Sequence, residues 1–340
     1  MHQQSIQRTL AAAAVLAVML SGCGASSSTA PSATPTATAS PSAAPMAQAD
    51  GTRLGLGVKV SLSSKETQGE IRTTAAGVML DEEGKILRCV IDEAENTLSI
   101  QADGKPGLPD AAKTKWELGD DYNMKQASSI GKEWYEQCQA FCDYIQGMTA
   151  EEVAELETDD GYAAQPDLMA GCTIRISNFV QAVEKAAREA DVQGATAADT
   201  LSLGAVSDTS GKDASADQDG QLQATTTFVL MTKDGEGRVT SAIADAAEPA
   251  FTYNTAGELL TDADTLTSKR EKKDAYGMKK ASAIGKEWYE QSDAFCAYLT
   301  GKTASEIRAI PSAGTDTDLA AVCTISVSEF LQAAVKAAET

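Results

Sequence analysis

The stretch SSIGKEWYEQCQAFCDYIQGMT at Ser128–Thr149 is written again at Ser282–Thr303 as SAIGKEWYEQSDAFCAYLTGKT, with about two-thirds of the positions identical. Self-similarity on this scale marks a duplicated structural unit. Working outward, Tyr122 falls on Tyr276, Met124 on Met278, Phe141 on Phe295, Cys142 on Cys296 and Tyr144 on Tyr298. Downstream, DLMAGCTIRISNFVQAVEKAA from Asp167 matches DLAAVCTISVSEFLQAAVKAA from Asp318. Upstream the agreement loosens, between TTAAGVMLDEEGKILRCVIDEAENTLSI and ATTTFVLMTKDGEGRVTSAIADAAEPAFTY. The chain therefore reads as two copies of one module, 51–192 and 193–340.

Each copy opens with runs of period two, such as Ala76, Val78 and Leu80 before Asp81-Glu82-Glu83-Gly84, or Phe228 and Leu230 before Lys233-Asp234-Gly235-Glu236-Gly237. Apolar alternation ending in a Gly-containing acidic turn predicts hairpin strands. Met124, Ala127, Ile130, Trp134, Cys138, Phe141 and Ile145 recur at spacings of three and four, which predicts one helix starting after Asp120 and Asp121 and stopping at Gly147, with its stripe on a sheet. Thr173–Ile176 reads as a short extended piece, with Ser177 as N-cap of a last helix carrying Phe179, Val180, Val183 and Ala187. The expected class is α+β: two tandem repeats, each an antiparallel sheet covered by helices.

The amino-terminal segment has Arg8, an apolar run Leu10–Leu20, and then Leu20-Ser21-Gly22-Cys23. That run is too short for a mature membrane span, and it ends in a lipobox-like site, so 1–22 reads as a lipoprotein signal peptide with Cys23 as the lipidated residue. Residues 23–50, rich in Ser, Ala, Thr and Pro, have nothing to bury and read as a disordered tether. The expected location is lipid-anchored to the cell membrane, facing the extracytoplasmic side.

With 28 Lys and Arg against 49 Asp and Glu, the formal charge is -21. Such a field repels phosphate backbones, so nucleic acid is not an expected partner; an envelope protein or a small ligand is. The single His is His2, inside the signal peptide, which removes His-based triads and His-ligated metal sites from the mature chain. The many carboxylates form no recognisable acid/base pair, and Asp213, Asp217 and Asp219 lack the pattern of a dedicated Ca²⁺ loop. No catalytic or metal-ligating residue is assigned.

Asp167-Leu168-Met169-Ala170-Gly171-Cys172-Thr173, followed by a helix, resembles the flavin-attachment motif of the FMN-binding domain family, extracytoplasmic redox proteins in which the last hydroxyl of such a motif forms a phosphoester with FMN. The resemblance implies FMN as cofactor, with Asp167, Gly171 and Thr173 as its site in the first repeat and Asp318 and Thr324 in the second. The Gly55-Leu56-Gly57 run and the strands-then-helix order fit it as well. Departures are Ala170 for Ser or Thr, Cys172 for Ala, and Val322 in place of the Gly, whose side chain would obstruct close approach of a phosphate.

Besides Cys23 there are six cysteines, of which Cys142 with Cys172 and Cys296 with Cys323 recur as pairs. Outside the cytoplasm they are candidate disulfides; the alternative is that each is a small apolar core residue. Lys132, Glu133, Tyr135, Glu136 and Gln137 recur unchanged as Lys286, Glu287, Tyr289, Glu290 and Gln291. A solvated face would be free to vary, which makes Tyr135 and Tyr289 a candidate contact face. Three functions follow: a non-enzymatic binding protein with FMN-binding-like modules, a covalently flavinylated electron-transfer protein, or a structural or adhesive envelope protein.

Overall fold

The structure is a computed structural model describing residues 50–109, 113–261, 266–312 and 316–340. The lipobox, Cys23 and nearly all of the tether lie outside the described residues. The described residues form one compact unit. Among the described residues no helix is long and apolar enough to cross a membrane.

The first repeat runs β1 (Arg53–Lys65), β2 (Gln68–Leu80), β3 (Ile86–Ile100), β4 (Pro106–Gly107), α1 (Lys115–Leu118), α2 (Trp134–Tyr144), α3 (Ala150–Ala154), β5 (Thr158–Asp159), β6 (Tyr162–Ala163), α4 (Pro166–Met169) and α5 (Ser177–Arg188). The second runs β7 (Thr200–Lys212), β8 (Gly220–Lys233), β9 (Val239–Ala247), β10 (Ala250–Tyr253), β11 (Leu259–Thr261), α6 (Lys269–Lys272), α7 (Trp288–Leu299), α8 (Ala304–Arg308), α9 (Thr317–Val322) and α10 (Ser328–Glu339). Each repeat is an antiparallel meander with helices over it, so the fold is α+β. The long β3 of the first repeat corresponds to β9 and β10 together, which pair in turn with β8. Pro249, which has no N–H to give a ladder, sits at that break, and its carbonyl keeps contact with Ala224 N at 3.1 Å.

Period-two alternation here separates two cores. On β2, Ala76, Val78 and Leu80 join the helix-facing core with Trp134, Phe141 and Phe179. Ala75 and Met79 point the other way, with Leu56 and Val58, onto Phe228, Leu230 and Ile243 of the second sheet. The molecule is thus layered helix, sheet, sheet, helix. Thr73 and Thr74, adjacent and therefore on opposite faces of β2, are both fully buried because from Thr73 onward the strand is covered by helices on one side and by the second sheet on the other.

The repeats face one another in pseudo-two-fold fashion. Lys185 on α5 donates to Val58 O at 3.0 Å and pairs with Glu271 of the other repeat at 2.5 Å. Lys336 on α10, its counterpart, donates to Ala205 O at 2.7 Å and pairs with Glu117, the counterpart of Glu271, at 2.5 Å. Equivalent residues exchange equivalent partners, as in an isologous interface.

Two expected helix boundaries change. The repeated helix begins at Trp134, not near Asp121, because Glu133 and Glu136 form a capping box there and Asn123 and Gly131 are left-handed. Met124–Lys132 instead makes turns folded back on the helix. Ser177 is the first helical residue of α5 rather than its cap; the N-cap is Ile176, and no side chain caps it.

Candidate functional site

The recurring Glu-Trp-Tyr-Glu-Gln is a bracket for two loops. Glu133, buried, accepts from Met124 N at 2.8 Å and Lys125 N at 3.1 Å, pinning the turns before the helix. Gln137 is fully buried one turn on, and its Nε2 donates to Ser128 Oγ at 3.2 Å and Lys132 O at 3.0 Å. Its Oε1 accepts from both Thr173 N at 2.8 Å and Thr173 Oγ1 at 3.0 Å. The second repeat copies this: Glu287 takes Met278 N and Lys279 N, and Gln291 takes Thr324 N and Oγ1 at 2.8 and 2.9 Å. Since every polar atom has a fixed partner, replacing either residue strands buried donors, which accounts for the identity of the two copies.

Tyr135 and Tyr289, the candidate contact face, are half-buried, and their hydroxyls donate to Asp120 at 3.1 Å and Asp274 at 3.2 Å. Glu133, Gln137, Glu287 and Gln291 do not belong to an exposed face at all. Sequence spacing missed this because the chain before Trp134 returns over the helix instead of extending it.

Thr173 lines a cleft of about 820 Å³ in the first repeat. Its buried end is aromatic and charged. Lys115 lies 5.0 Å from the Tyr122 ring and 5.7 Å from that of Trp134, and is held by Glu93 at 2.6 Å and Glu95 at 2.8 Å. Burial works against its charge, but the two carboxylates outweigh burial and raise its pKa. Arg72 continues the chain of charges to Glu70 at 2.6 Å. At the rim, Arg175 lies 4.9 Å over the Tyr162 ring and pairs with Asp160 at 2.6 Å. Ser177, Asn178 and Phe179, the uncapped first turn of α5, also face the cleft, and a free helix N-terminus favours anions.

Of the sequence-predicted residues, the cleft gathers Thr173 and leaves out Asp167 and Gly171. Asp167 is exposed in the first turn of α4. Gly171 faces α2, where a Cβ would lie 2.9 Å from the Ala140 Cβ, so its small size serves helix packing rather than phosphate approach. In the second repeat Asp318 and Thr324 are exposed. What separates the repeats is at other positions: Asn178, bonded to Ser61 at 3.1 Å, is matched by Glu329, whose carboxylate accepts from Thr227 at 3.0 Å at the start of α10. Arg175, Arg72 and Glu93 are matched by Ser326, Thr225 and Ala246. The second repeat thus supplies its own anion where the first leaves the helix end open.

The expected bridges Cys142–Cys172 and Cys296–Cys323 are absent; all six described cysteines are free and buried. They sit in the helix–sheet cores, the small-apolar alternative. Burial pushes the Cys172 thiol up to about 11 and that of Cys296 to about 12, and raises Cys89 and Cys138 as well, so these remain protonated and inert. The Gly55-Leu56-Gly57 run also has a packing role: a Cβ on Gly57 would lie 2.1 Å from Ala182 O, so the glycines let α5 ride on β1.

No protein-family model matches the chain, and no solved structure matches it. Among curated proteins, a chlorophenol reductase of Desulfitobacterium hafniense is 36% identical over 78 residues. That match covers 18% of this chain and 24% of the relative's length.

Proposed function

We propose that the first repeat is a flavin-holding module of a lipid-anchored extracytoplasmic protein, and that the chain carries electrons or presents the bound flavin without turning over a substrate of its own. The observation that carries this reading is the position of Thr173: its oxygen borders a cleft of about 820 Å³, within the range that holds a cofactor-sized ligand. The resemblance of Asp167–Thr173 to the FMN-binding domain motif supports the same residue, and a relative named as a reductase fits a redox setting.

In this reading Gln137 fixes the rotamer of Thr173 by accepting its hydroxyl proton, leaving the oxygen lone pairs toward the cleft. Arg175 and the open first turn of α5 take the phosphate charge, with Arg175 exchanging Asp160 for it. Tyr122 and Tyr162 offer ring surface to a flat aromatic system. Bound FMN supplies the electron chemistry; the protein's share is attachment, orientation and exclusion of water. The second repeat, with Glu329 at its helix start, remains empty and braces the first.

Co-expression with a flavin transferase tests this. We expect one added FMN mass per chain and yellow absorbance, both lost in Thr173→Ala and kept in Thr324→Ala. An unlabelled, colourless wild-type protein that also fails to bind free FMN would refute the reading. Separately, Cys23→Ala should abolish partitioning into detergent; equal partitioning would remove the anchor from the proposal.

A further inference from the structure

The pseudo-two-fold relation places two equivalent spaces between the repeats, and they are filled differently. In the second repeat Arg270, on α6, folds inward: its Nε donates to Ala244 O at 2.9 Å and its Nη2 meets Asp293 Oδ1 at 2.5 Å. Asp245, whose Oδ1 accepts from Arg270 N at 3.0 Å, adds its charge to the guanidinium's surroundings. The space left there, against Leu56 and Gly57, is about 10 Å³.

In the first repeat the position of Arg270 belongs to Trp116, which turns outward, 39% exposed, and packs edge-on to Tyr135 at 6.0 Å. Behind it is a cavity of about 220 Å³ walled by Val90, Asp92, Cys142, Leu201, Ser202 and Leu203. Two of the three acceptors around Arg270 are retained, while its ion-pair partner Asp293 is matched by Gln139, a neutral residue that also lines the cavity. Asp92 stands for Asp245 and is 6% exposed; Ile91 O stands for Ala244 O. Ala244 O takes both Ser292 Oγ and Arg270 Nε, whereas Ile91 O takes the Cys138 thiol at 3.6 Å and has a lone pair to spare. Ser202 Oγ, at 4% residue exposure, has no hydrogen-bond partner although it lines the cavity. Asp92 Oδ1 already accepts from Glu93 N at 2.7 Å and Trp116 N at 3.1 Å, so the group left unmet is the Ser202 hydroxyl, in a lining that also includes Gln139 and Thr340, and a buried hydroxyl without a partner is costly.

We propose that this cavity between the repeats binds a small alkylguanidinium or alkylamidinium molecule, with its planar cationic head where Arg270 lies in the second repeat. The head meets Asp92 and the Ile91 carbonyl, Ser202 accepts from its outer edge, and Val90, Leu201 and Leu203 receive the alkyl stem. Net charge of the chain draws cations toward it. The site is separate from the Thr173 cleft and does not depend on flavin.

Titration calorimetry of the purified full-length protein with n-propylguanidinium, a copy of the arginine side chain, decides the matter, with the neutral isostere N-propylurea as comparison. We expect one saturable site per chain, with the urea at least about tenfold weaker. Asp92→Asn should weaken guanidinium binding by a similar factor. Trp116→Arg should fill the cavity as Arg270 does and remove the site, and Arg270→Ala should open a second one. The inference is overturned by absence of saturable binding to the wild type, by equal affinity for the urea, or by unchanged binding in a folded Trp116→Arg. Should Trp116→Arg fail to fold, the two-ligand comparison and Asp92→Asn decide alone.

Discussion

Gln137 and Asp92 show how single buried polar groups organise this protein. Gln137 links the turns before α2 to Thr173, and the duplicate Gln291 repeats the linkage almost to the ångström. Asp92 and Asp245 each accept from the following strand N–H and from the first turn of a short helix. Burial is the largest influence on both and raises Asp92 to about 7 and Asp245 to about 6. The folded pKa therefore exceeds the unfolded value of about 3.9, so between pH 4 and 7 the native state holds protons that the unfolded chain has released. Their contribution to stability is highest below pH 4 and is lost as pH rises through 7. Asp92→Asn, which keeps an acceptor for both N–H groups, should gain on wild type as pH rises across that window, by up to about 1.4 kcal/mol per pH unit, and by nothing further above it. Urea midpoints at pH 4.5 and 7.5 measure this; a pH-independent difference would mean that Asp92 is ionised throughout.

Among the elements, α5 and α10 are the ones whose position depends on absent side chains. A Cβ on Gly57 would stand 2.1 Å from Ala182 O, and one on Gly204 would stand 2.0 Å from Ala333 O. Close approach lets Lys185 and Lys336 reach strand carbonyls and, beyond them, the opposite repeat. Gly57→Ala should lift α5 from β1 at a cost of about 3 kcal/mol, and Gly204→Ala should behave alike in the second repeat. Denaturant titration checks both; a loss under about 0.5 kcal/mol would show that the helix shifts freely. Strand and hairpin positions were legible from period-two alternation and acidic Gly turns. The start of α2 was not, because Met124 and Ile130 continue a helical spacing that left-handed Asn123 and Gly131 and the Glu133 cap override.

For the whole molecule, the central sheet-to-sheet core joins what reads as two modules into one body. Val58, Val60 and Met79 from one sheet and Phe228 and Leu230 from the other are essentially without solvent contact. Each such side chain is worth about 1.5–3 kcal/mol of burial. A single repeat would expose that face to water. The fragment 51–192 alone should therefore self-associate, and the pseudo-two-fold exchange of Lys185 and Glu117 favours a closed dimer. Sedimentation equilibrium tests this, and a monomeric fragment with native circular dichroism would show that each repeat is self-sufficient.

The sequence by itself determined the duplication, the α+β class, the hairpins and the place of Thr173 ahead of a helix, because each rests on residues near one another in the chain. Tertiary structure decided the rest. Which face of β2 met helices and which met another sheet, why Gly171 is small, and that Asn178 and Glu329 divide the two helix ends all depend on partners 30 to 130 residues away. Alternation records that a strand has two faces; it does not record what covers them. The open space behind Trp116 was hidden for the same reason, since only the folded chain shows that Arg270 fills the equivalent space while Trp116 turns away from its own.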